Sequence, residues 1–429
     1  MRRMKRGRKR KPPVKQEELS CLGIVRQILP YRDWLAEQVA IDETEHGNTR
    51  LRQVDVLVVL LTAFFNPPVR SLRLIEQLSQ LSWVRAHLAV ERACRSTLSD
   101  ALARFDPQAL LPLIAQLMQE LAPLKKMSAV DRELRDLLET CKQLIAADGS
   151  MFKSAMDVAW VLNQGGRDGK SPAVRMNLQM DVERFLPVDL SISGEGEGSE
   201  PAAFLGRLLA AAIYLVDRNY VHFGFMNAVL EAGSDFVLRL RADTRFQVQE
   251  RRTLVLRDAE AGVVEDNIGV LPGSRGSRTG PPPQRPLREV VLRDSSTGQP
   301  LRLLTSLMDV PAWAVGELYR RRWQIELFFR FLKVSAASEH LLSESRNGMT
   351  TQFYVAVIAC LLMHVRMGRK VNKYALFLFG QVASGLAELD QILPMLERIE
   401  REKELERQRL ARKKAAKALT QKTVSQLPG

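Results

Sequence analysis

Residues 319–333, YRRRWQIELFFRFLK, constrain the fold of this chain more than any other stretch. Their pattern predicts one helix that is apolar on nearly every side, through Trp323, Ile325, Leu327, Phe328, Phe329, Phe331 and Leu332, and such a helix belongs inside a core. Yet Tyr319, Arg322, Glu326 and Lys333 recur along it. At about 100° per residue these four fall within roughly a 60° arc. Burying a carboxylate and two cations costs free energy unless they meet partners, a metal or a ligand. Two readings are open. Arg322 and Glu326 by themselves are satisfied as an i,i+4 ion pair with a snorkelling Lys333. Four polar groups on one stripe suit a functional face equally well.

A buried helix needs a core around it, and 429 residues of which 46% are hydrophobic can supply two or three domains. No apolar run reaches membrane-spanning length; the longest, residues 56–65, is about half of what a span requires. The N-terminus is basic but has no apolar segment of the secretory kind. Cys21, Cys94, Cys141 and Cys360 are scattered, with no CxxC and no nearby His pair, which argues against a zinc site and for a reducing compartment. A cytoplasmic location is therefore expected. The net charge of +14 is concentrated at the ends: residues 1–16 hold nine Lys and Arg and residues 407–422 hold seven, with no acid in either. The body between is close to neutral. Such tails suit a polyanion, nucleic acid above all, and they are also what a solubilising tail looks like.

After the basic arm of residues 1–16, residues 17–142 read as short helices. Residues 51–65 form a buried helix stopped by Asn66, Pro67 and Pro68; residues 70–81 and 107–121 are amphipathic, and a helix starts near Ser96. This is a helical bundle, either one containing a DNA-reading helix-turn-helix or one of plain packing. The period then changes. Residues 143–147, 174–180 and 186–192 read as strands, 202–212 as a helix, 213–216 as a strand, 220–232 as a helix and 235–240 as a strand. Three antiparallel strands followed by crossovers give a mixed α/β sheet flanked by helices, the first part of a core over 143–242. Residues 243–310 interrupt it as a β-rich insertion, with short strands at 252–256, 261–270, 288–293 and 301–306 and a Gly/Pro/Arg arm at 273–286. The core resumes over 311–380, where 350–367 is an apolar helix, and residues 381–429 form a helical, increasingly charged C-terminal region.

Two acids stand at the ends of predicted strands, Asp148 and Asp217, and Glu326 projects from the later helix. Ends of neighbouring central strands lie a few ångströms apart, where α/β sheets build their sites. Converging carboxylates repel one another in a neutral core and become reasonable around divalent cations. Two such ions can activate an attacking oxygen and stabilise the leaving oxygen of a phosphodiester. Arg322 and Lys333 would hold the phosphates, and Tyr319 could stack or hydrogen-bond at the cleaved nucleotide. Asp217 alone is also readable as an ordinary turn residue. The five His residues (46, 87, 222, 340 and 364) are isolated, and no His or Lys is placed to make Ser150 a nucleophile. Arg320 and Arg321 extend the phosphate-facing side or are merely exposed.

With these residues together, the sequence resembles the insertion-sequence DDE transposases of the group (family four) marked by Y-x2-R-x3-E-x6-K. The signature reads without a gap from Tyr319 through Arg322 and Glu326 to Lys333, and Asp148-Gly149-Ser150 and Asp217-Arg218-Asn219-Tyr220 precede it in the right order. The resemblance implies an RNase H-like fold in which Asp148, Asp217 and Glu326 bind two Mg²⁺ (or Mn²⁺) ions. It implies that Tyr319, Arg322 and Lys333 contact double-stranded DNA at the element's ends. It further implies cleavage at terminal inverted repeats, transfer of the freed 3′-OH to target DNA, end binding by residues 17–142 and a homodimer formed through the C-terminal region. A catalytically silent DNA-binding descendant and a nuclease without strand transfer are the rival expectations. One departure is visible: hairpin-forming relatives use an aromatic from the insertion to stack on a flipped base, whereas residues 243–310 contain only Phe246. Trp313 and Trp323 are the nearby candidates, though each reads first as core.

Overall fold

The computed structural model describes most of residues 51–367 and scattered residues between 378 and 409. The basic arm, the basic tail and most of the C-terminal region lie outside these described residues. The N-terminal segment is helical: α1 (Gln53–Phe64), α2 (Leu72–Ser79), α3 (Arg95–Arg104), α4 (Leu111–Leu121) and α5 (Ala129–Leu137). Helix α1 is buried from Gln53 to Ala63, as its unbroken apolar run requires. Ser71 starts α2 by accepting the Leu74 N–H, and Asp106 caps the 3₁₀ turn that leads into α4.

Strands follow: β1 (Gln143–Lys153), β2 (Leu162–Gly166), β3 (Gly169–Asp181), β4 (Leu186–Ser193) and β5 (Ala212–Val216). Then come α6 (Phe223–Glu231), β6 (Asp235–Arg239), β7 (Gln247–Arg251), α7 (Leu256–Glu260), β8 (Val263–Val270), β9 (Leu287–Arg293) and β10 (Pro300–Thr305). Helices α8 (Ala312–Arg321), α9 (Trp323–Ser335) and α10 (Arg346–Met367) close the described chain. All strands join one 10-stranded sheet in the order β2-β3-β1-β5-β6-β10-β9-β8-β7, with β4 also paired to β3. β1, β3 and β4 are antiparallel, while β5 pairs parallel with β1 and β6 parallel with β5. Taken in the order β4-β3-β1-β5-β6, this is the RNase H-like sheet. The strands of residues 243–310 extend the same sheet, because β10 pairs antiparallel with β6 and carries β9, β8 and β7 beyond it.

The two-residue period assigns the faces. Leu144 and Ala146 of β1, with Ile213 and Leu215 of β5, enter one core, shared with α1, α8, α9 and α10. Ile145 and Ala147, with Ala212, Tyr214 and Val216, enter the other, shared with α6. Helix α8 lies close on the sheet because Gly316 has no side chain: a Cβ there would stand 2.6 Å from Leu292 Cδ2. Arg288 of β9 is almost wholly buried (1% exposed) and forks onto Asp266 of β8 at 2.7 Å while donating to the Val310 carbonyl just before α8. A buried guanidinium is tolerable only with its donors met in this way.

Several expectations need correction. Residues 202–212 do not form a helix: only a 3₁₀ turn, Pro201–Phe204, is present, and Gly206 follows at positive φ. Residues 252–256 are not a strand; the pairing partner of β8 is Gln247–Arg251, and α7 begins at Leu256. Strand β2 has no counterpart among the strands expected from sequence. Helix α6 starts at Phe223, capped by His222, whose Nδ1 accepts the Phe225 N–H. Residues 319–333 are not one helix. The chain tightens at Arg322, where the Arg322 N–H bonds the Tyr319 carbonyl and the Ile325 N–H bonds the Arg322 carbonyl, both three residues back. Two helices, α8 and α9, therefore meet at Arg322.

Candidate active site

Asp148 lies within β1 rather than at its end, which corrects the expectation from sequence. The parallel ladder with β5 stops at Ala146–Leu215, while the antiparallel ladder with β3 runs on to Lys153. Asp148 thus stands where β1 and β5 part company. Two steps along the same register lies Asp217, the first residue beyond β5, whose Oδ1 accepts the Asn219 N–H and caps a 3₁₀ turn. Asp217 is close enough to Asp148 for its charge to raise the pKa of that carboxyl. Both share the alternation of the face on which α9 packs.

Glu326 comes from that helix. Arg322, at the joint, binds its carboxylate and also reaches Asp148, Nη1 to Oδ2 at 3.6 Å. One guanidinium therefore spans two of the three acids. The Tyr319 ring lies 5.8 Å from the Arg322 guanidinium carbon. Burial raises the Tyr319 pKa, opposed by the positive charges of Arg322 and Arg239. For Arg322 burial acts against the charge, but Tyr319, Asp148 and Glu326 prevail and hold its pKa above the ordinary value. Lys333 is on α9, and its side chain lies outside the described residues. The structure thus brings together Asp148, Asp217, Glu326, Tyr319 and Arg322.

One residue at the site has no counterpart in the sequence reading. Glu200 precedes the 3₁₀ turn Pro201–Phe204, and its Oε1 accepts the Gly149 N–H at 2.8 Å; Asp148 Oδ1 accepts the same N–H at 2.9 Å. Gly149 leaves room for Glu200, since a Cβ would stand 2.8 Å from the Glu200 carboxyl carbon and the glutamate side chain would have to shift. Burial, then the Glu200 charge, push Asp148 up to about 8, with Asp217 adding to the rise and Arg322 opposing it. The hydroxyl of Tyr220 is buried beside these groups: burial, then Glu200 and Asp148, hold its pKa well above the usual tyrosine range. No sequence signal singles out Glu200, because it sits in the Gly/Glu-rich loop of residues 194–201.

Other candidates separate clearly. Trp313 is core: it is buried, the Arg257 guanidinium stacks on it at 3.6 Å, and its backbone N–H donates to Asp258 Oδ1. Trp323, by contrast, is 49% exposed at the start of α9, with Leu327 exposed one turn on, so this helix is not enclosed on every side. Phe246 packs on the α6-side core. Cys360 is a buried free thiol.

The hard oxygen donors of Asp148, Asp217 and Glu326 match a divalent cation of the Mg²⁺ type in chemistry, and the accumulated negative charge at Asp148 calls for a positive one. Among the described residues no group of three or more His, Cys, Asp or Glu is arranged around one point. Asp217 adds to the negative charge felt at Asp148, whereas Asp148 and Glu326 are linked through the Arg322 guanidinium that stands between them.

The model of the family described as the transposase DDE domain matches residues 139–362, more than half of the chain. A protein of Sinorhizobium fredii named as transposase y4zB is 29% identical over 209 residues, which are 48% of this chain and 56% of that protein. A Geobacillus stearothermophilus protein named as the transposase for insertion sequence element IS5377 is 23% identical over 239 residues, 55% of this chain and 60% of that one. The matches thus span somewhat more than half the length of these curated relatives. A solved piggyBac transposase synaptic complex with hairpin DNA overlays 87% of this chain and 82% of that chain, at 12% identity and a TM-score of 0.39, too loose to assign anything. The matched segment runs from just before β1 through most of α10 and contains Asp148, Asp217 and Glu326. The chain belongs to the family of the transposase DDE domain.

Proposed function

We propose that this chain is the transposase of an insertion sequence, cutting double-stranded DNA at the element's terminal inverted repeats and joining the freed 3′-OH to target DNA. The observation that supports this reading is Arg322, which pairs with both Asp148 and Glu326, while Asp217 follows β5 two steps along the register that β1 and β5 share. Asp148, Asp217 and Glu326 would hold two divalent cations, Mg²⁺ or Mn²⁺. Bound there, the ions would activate the attacking oxygen and stabilise the leaving 3′ oxygen. Arg322 is placed to exchange its carboxylate partners for a phosphate of the DNA, with which it can form two parallel hydrogen bonds. Tyr319 sits beside it to contact the nucleotide at the cut, and Lys333 would hold the backbone further along α9. The helical segment 17–142 would bind the terminal repeats, the basic tails would add sequence-independent grip on DNA, and a homodimer would bridge two ends. No helix among the described residues is long and apolar enough to cross a membrane; the working location on this reading is the bacterial cytoplasm, at the nucleoid.

Strand joining separates this function from that of a plain nuclease. Pre-cut element ends with free 3′-OH groups, incubated with the protein, Mg²⁺ and a supercoiled target plasmid, should yield end-to-target joints. Efficient cutting of intact ends without any joints would reduce the function to nuclease action.

A further inference from the structure

The acids occupy only part of the sheet edge on which they lie. β5 and β6 run parallel, so both end at that edge, and β10, antiparallel to β6 with Leu303 opposite Arg239, begins there. Moving along it away from β1, Asp217 at the end of β5 gives way to basic residues. Arg218 follows Asp217 directly, Arg239 ends β6 with Arg241 just beyond, and Arg302 stands near the start of β10. These four arginines border a cavity of about 640 Å³, in whose lining Asp243 is the one acid among the described residues. Open α/β sheets bind their ligands outside the carboxyl ends of the strands, where this cavity lies.

Most of its positive charge is unanswered among the described residues. Arg302 is the exception: it pairs with Glu289 at 2.7 Å, and its Nη1 donates to the carbonyls of Arg241, Ala242 and Thr244, which shapes the wall. Arg239 also acts on Tyr319 and so belongs in part to the site already described. Arg218 and Arg241 are exposed and form no ion pair among the described residues. Arg241 Nε donates to the Arg218 carbonyl at 3.4 Å, which holds their two segments together. Guanidinium groups with free donors on a concave surface suit phosphates, which they grip through parallel hydrogen bonds.

The rest of the fold indicates which phosphates these are. Helix α9 packs on β1 and α10 on β4, on the side of the acids away from the cavity, and α1, α3 and α4 pack on α10. Ser345 and Asn347, at the start of α10, donate to the carbonyls of Leu102 and Ala103 and tie α3 to it. The proposed end-binding helices and the arginine cavity thus flank the acids from opposite sides. We propose that the cavity binds backbone phosphates of the DNA beyond the scissile bond, opposite the element's end, through Arg218 and Arg241. This rests on the reading of the acids as the cutting site and of the N-terminal helices as the end-binding region. That DNA is the flank before cleavage and the target during joining, and the two share one backbone chemistry.

The test uses the full chain without divalent cation, so that binding is read without cutting, and two duplexes. One carries the element's end with its flank; the other stops at the cut. Arg218→Gln and Arg241→Gln together should lower the slope of log K against log salt on the flanked duplex by about 0.9 for each phosphate released. The slope on the shorter duplex should not change. Arg218→Lys with Arg241→Lys keeps the charge and should keep the wild-type slope. A second arm follows the joining of pre-cut ends to a target plasmid with Mg²⁺. Loss of joints in the Gln variant with a wild-type slope on the flanked duplex would make target DNA the occupant. A wild-type slope together with wild-type joining, or an equal fall on both duplexes, would overturn the proposal and leave the proposed function standing. Failure of the wild type to prefer either duplex over one of scrambled sequence would overturn the proposed function and this assignment with it.

Discussion

At Asp148 burial and the neighbouring carboxylates act against charge, and Arg322 alone favours it. The outcome, a carboxyl pushed up to about 8 from its ordinary 3.8, has a calculable consequence for metal-free protein. A raised pKa in the folded state contributes stability that is complete below the unfolded value and is lost as pH rises through the folded one. Metal-free wild type should therefore lose thermal stability between about pH 4 and pH 8. Asp148→Asn should melt at least about 2 °C above wild type at pH 8, the difference vanishing near pH 4. Melting curves across this range check it; a constant offset would mean that the site carries no such strain. Arg322 invites a companion measurement. It neutralises Asp148 and Glu326 from within, so Arg322→Gln should bind Mn²⁺ more tightly in the absence of DNA, by roughly three- to tenfold, while binding element ends less tightly. Weaker Mn²⁺ binding in this variant would show that Arg322 organises the carboxylates rather than competing for them.

Among the elements, the joint between α8 and α9 is the one on which the site depends. Arg288 anchors the chain just before α8, the helix that leads into the joint, through Asp266 and the carbonyls of Leu307 and Val310. Breaking a buried pair of this kind typically costs about 3–5 kcal/mol. Arg288→Ala should lose stability of that order in denaturant titration, whereas exchange of the exposed Arg320 should not move the midpoint measurably. The same joint shows what sequence can and cannot express. The period-2 alternation of β5 and β6 and the amphipathic helices are readable because each is a local pattern with a long-range reason. The break at Arg322 is not readable, since it consists of two backbone bonds shifted by one residue within an otherwise helical composition. Trp323 suits a core equally well on sequence for the same reason, since exposure depends on which side of the bend it occupies. The tract 202–212 has small residues in helical proportion, but Gly206 at positive φ and the need to bring Glu200 over Gly149 give it a different course. Glu200 itself carries no signal, because its partners lie far from it in sequence. The positions of Asp148 and Asp217 are legible as strand-end acids, although for Asp148 the true boundary is where the β5 ladder ends.

At the scale of the whole molecule, one twisted sheet separates two cores and opens its site where the central strands diverge. The near-neutral body and the strongly basic ends divide the proposed work between chemistry and grip. Removing residues 1–16, with their nine Lys and Arg, should make DNA affinity less salt-dependent, the slope of log K against log salt falling by about 0.9 for each phosphate that the arm neutralises. An unchanged slope would assign the arm to solubility. The claim on which everything else depends is that the acids at the β1–β5 gap and on α9 perform phosphodiester chemistry. The measurement that addresses it most directly is Mg²⁺-dependent cleavage of DNA carrying the element's ends, comparing wild type with Asp148→Asn, Asp217→Asn and Glu326→Gln at matched DNA binding. Wild type should cut at the ends, and each variant should fall by about a thousandfold or more. Cleavage at the wild-type rate by any of the three would contradict the account.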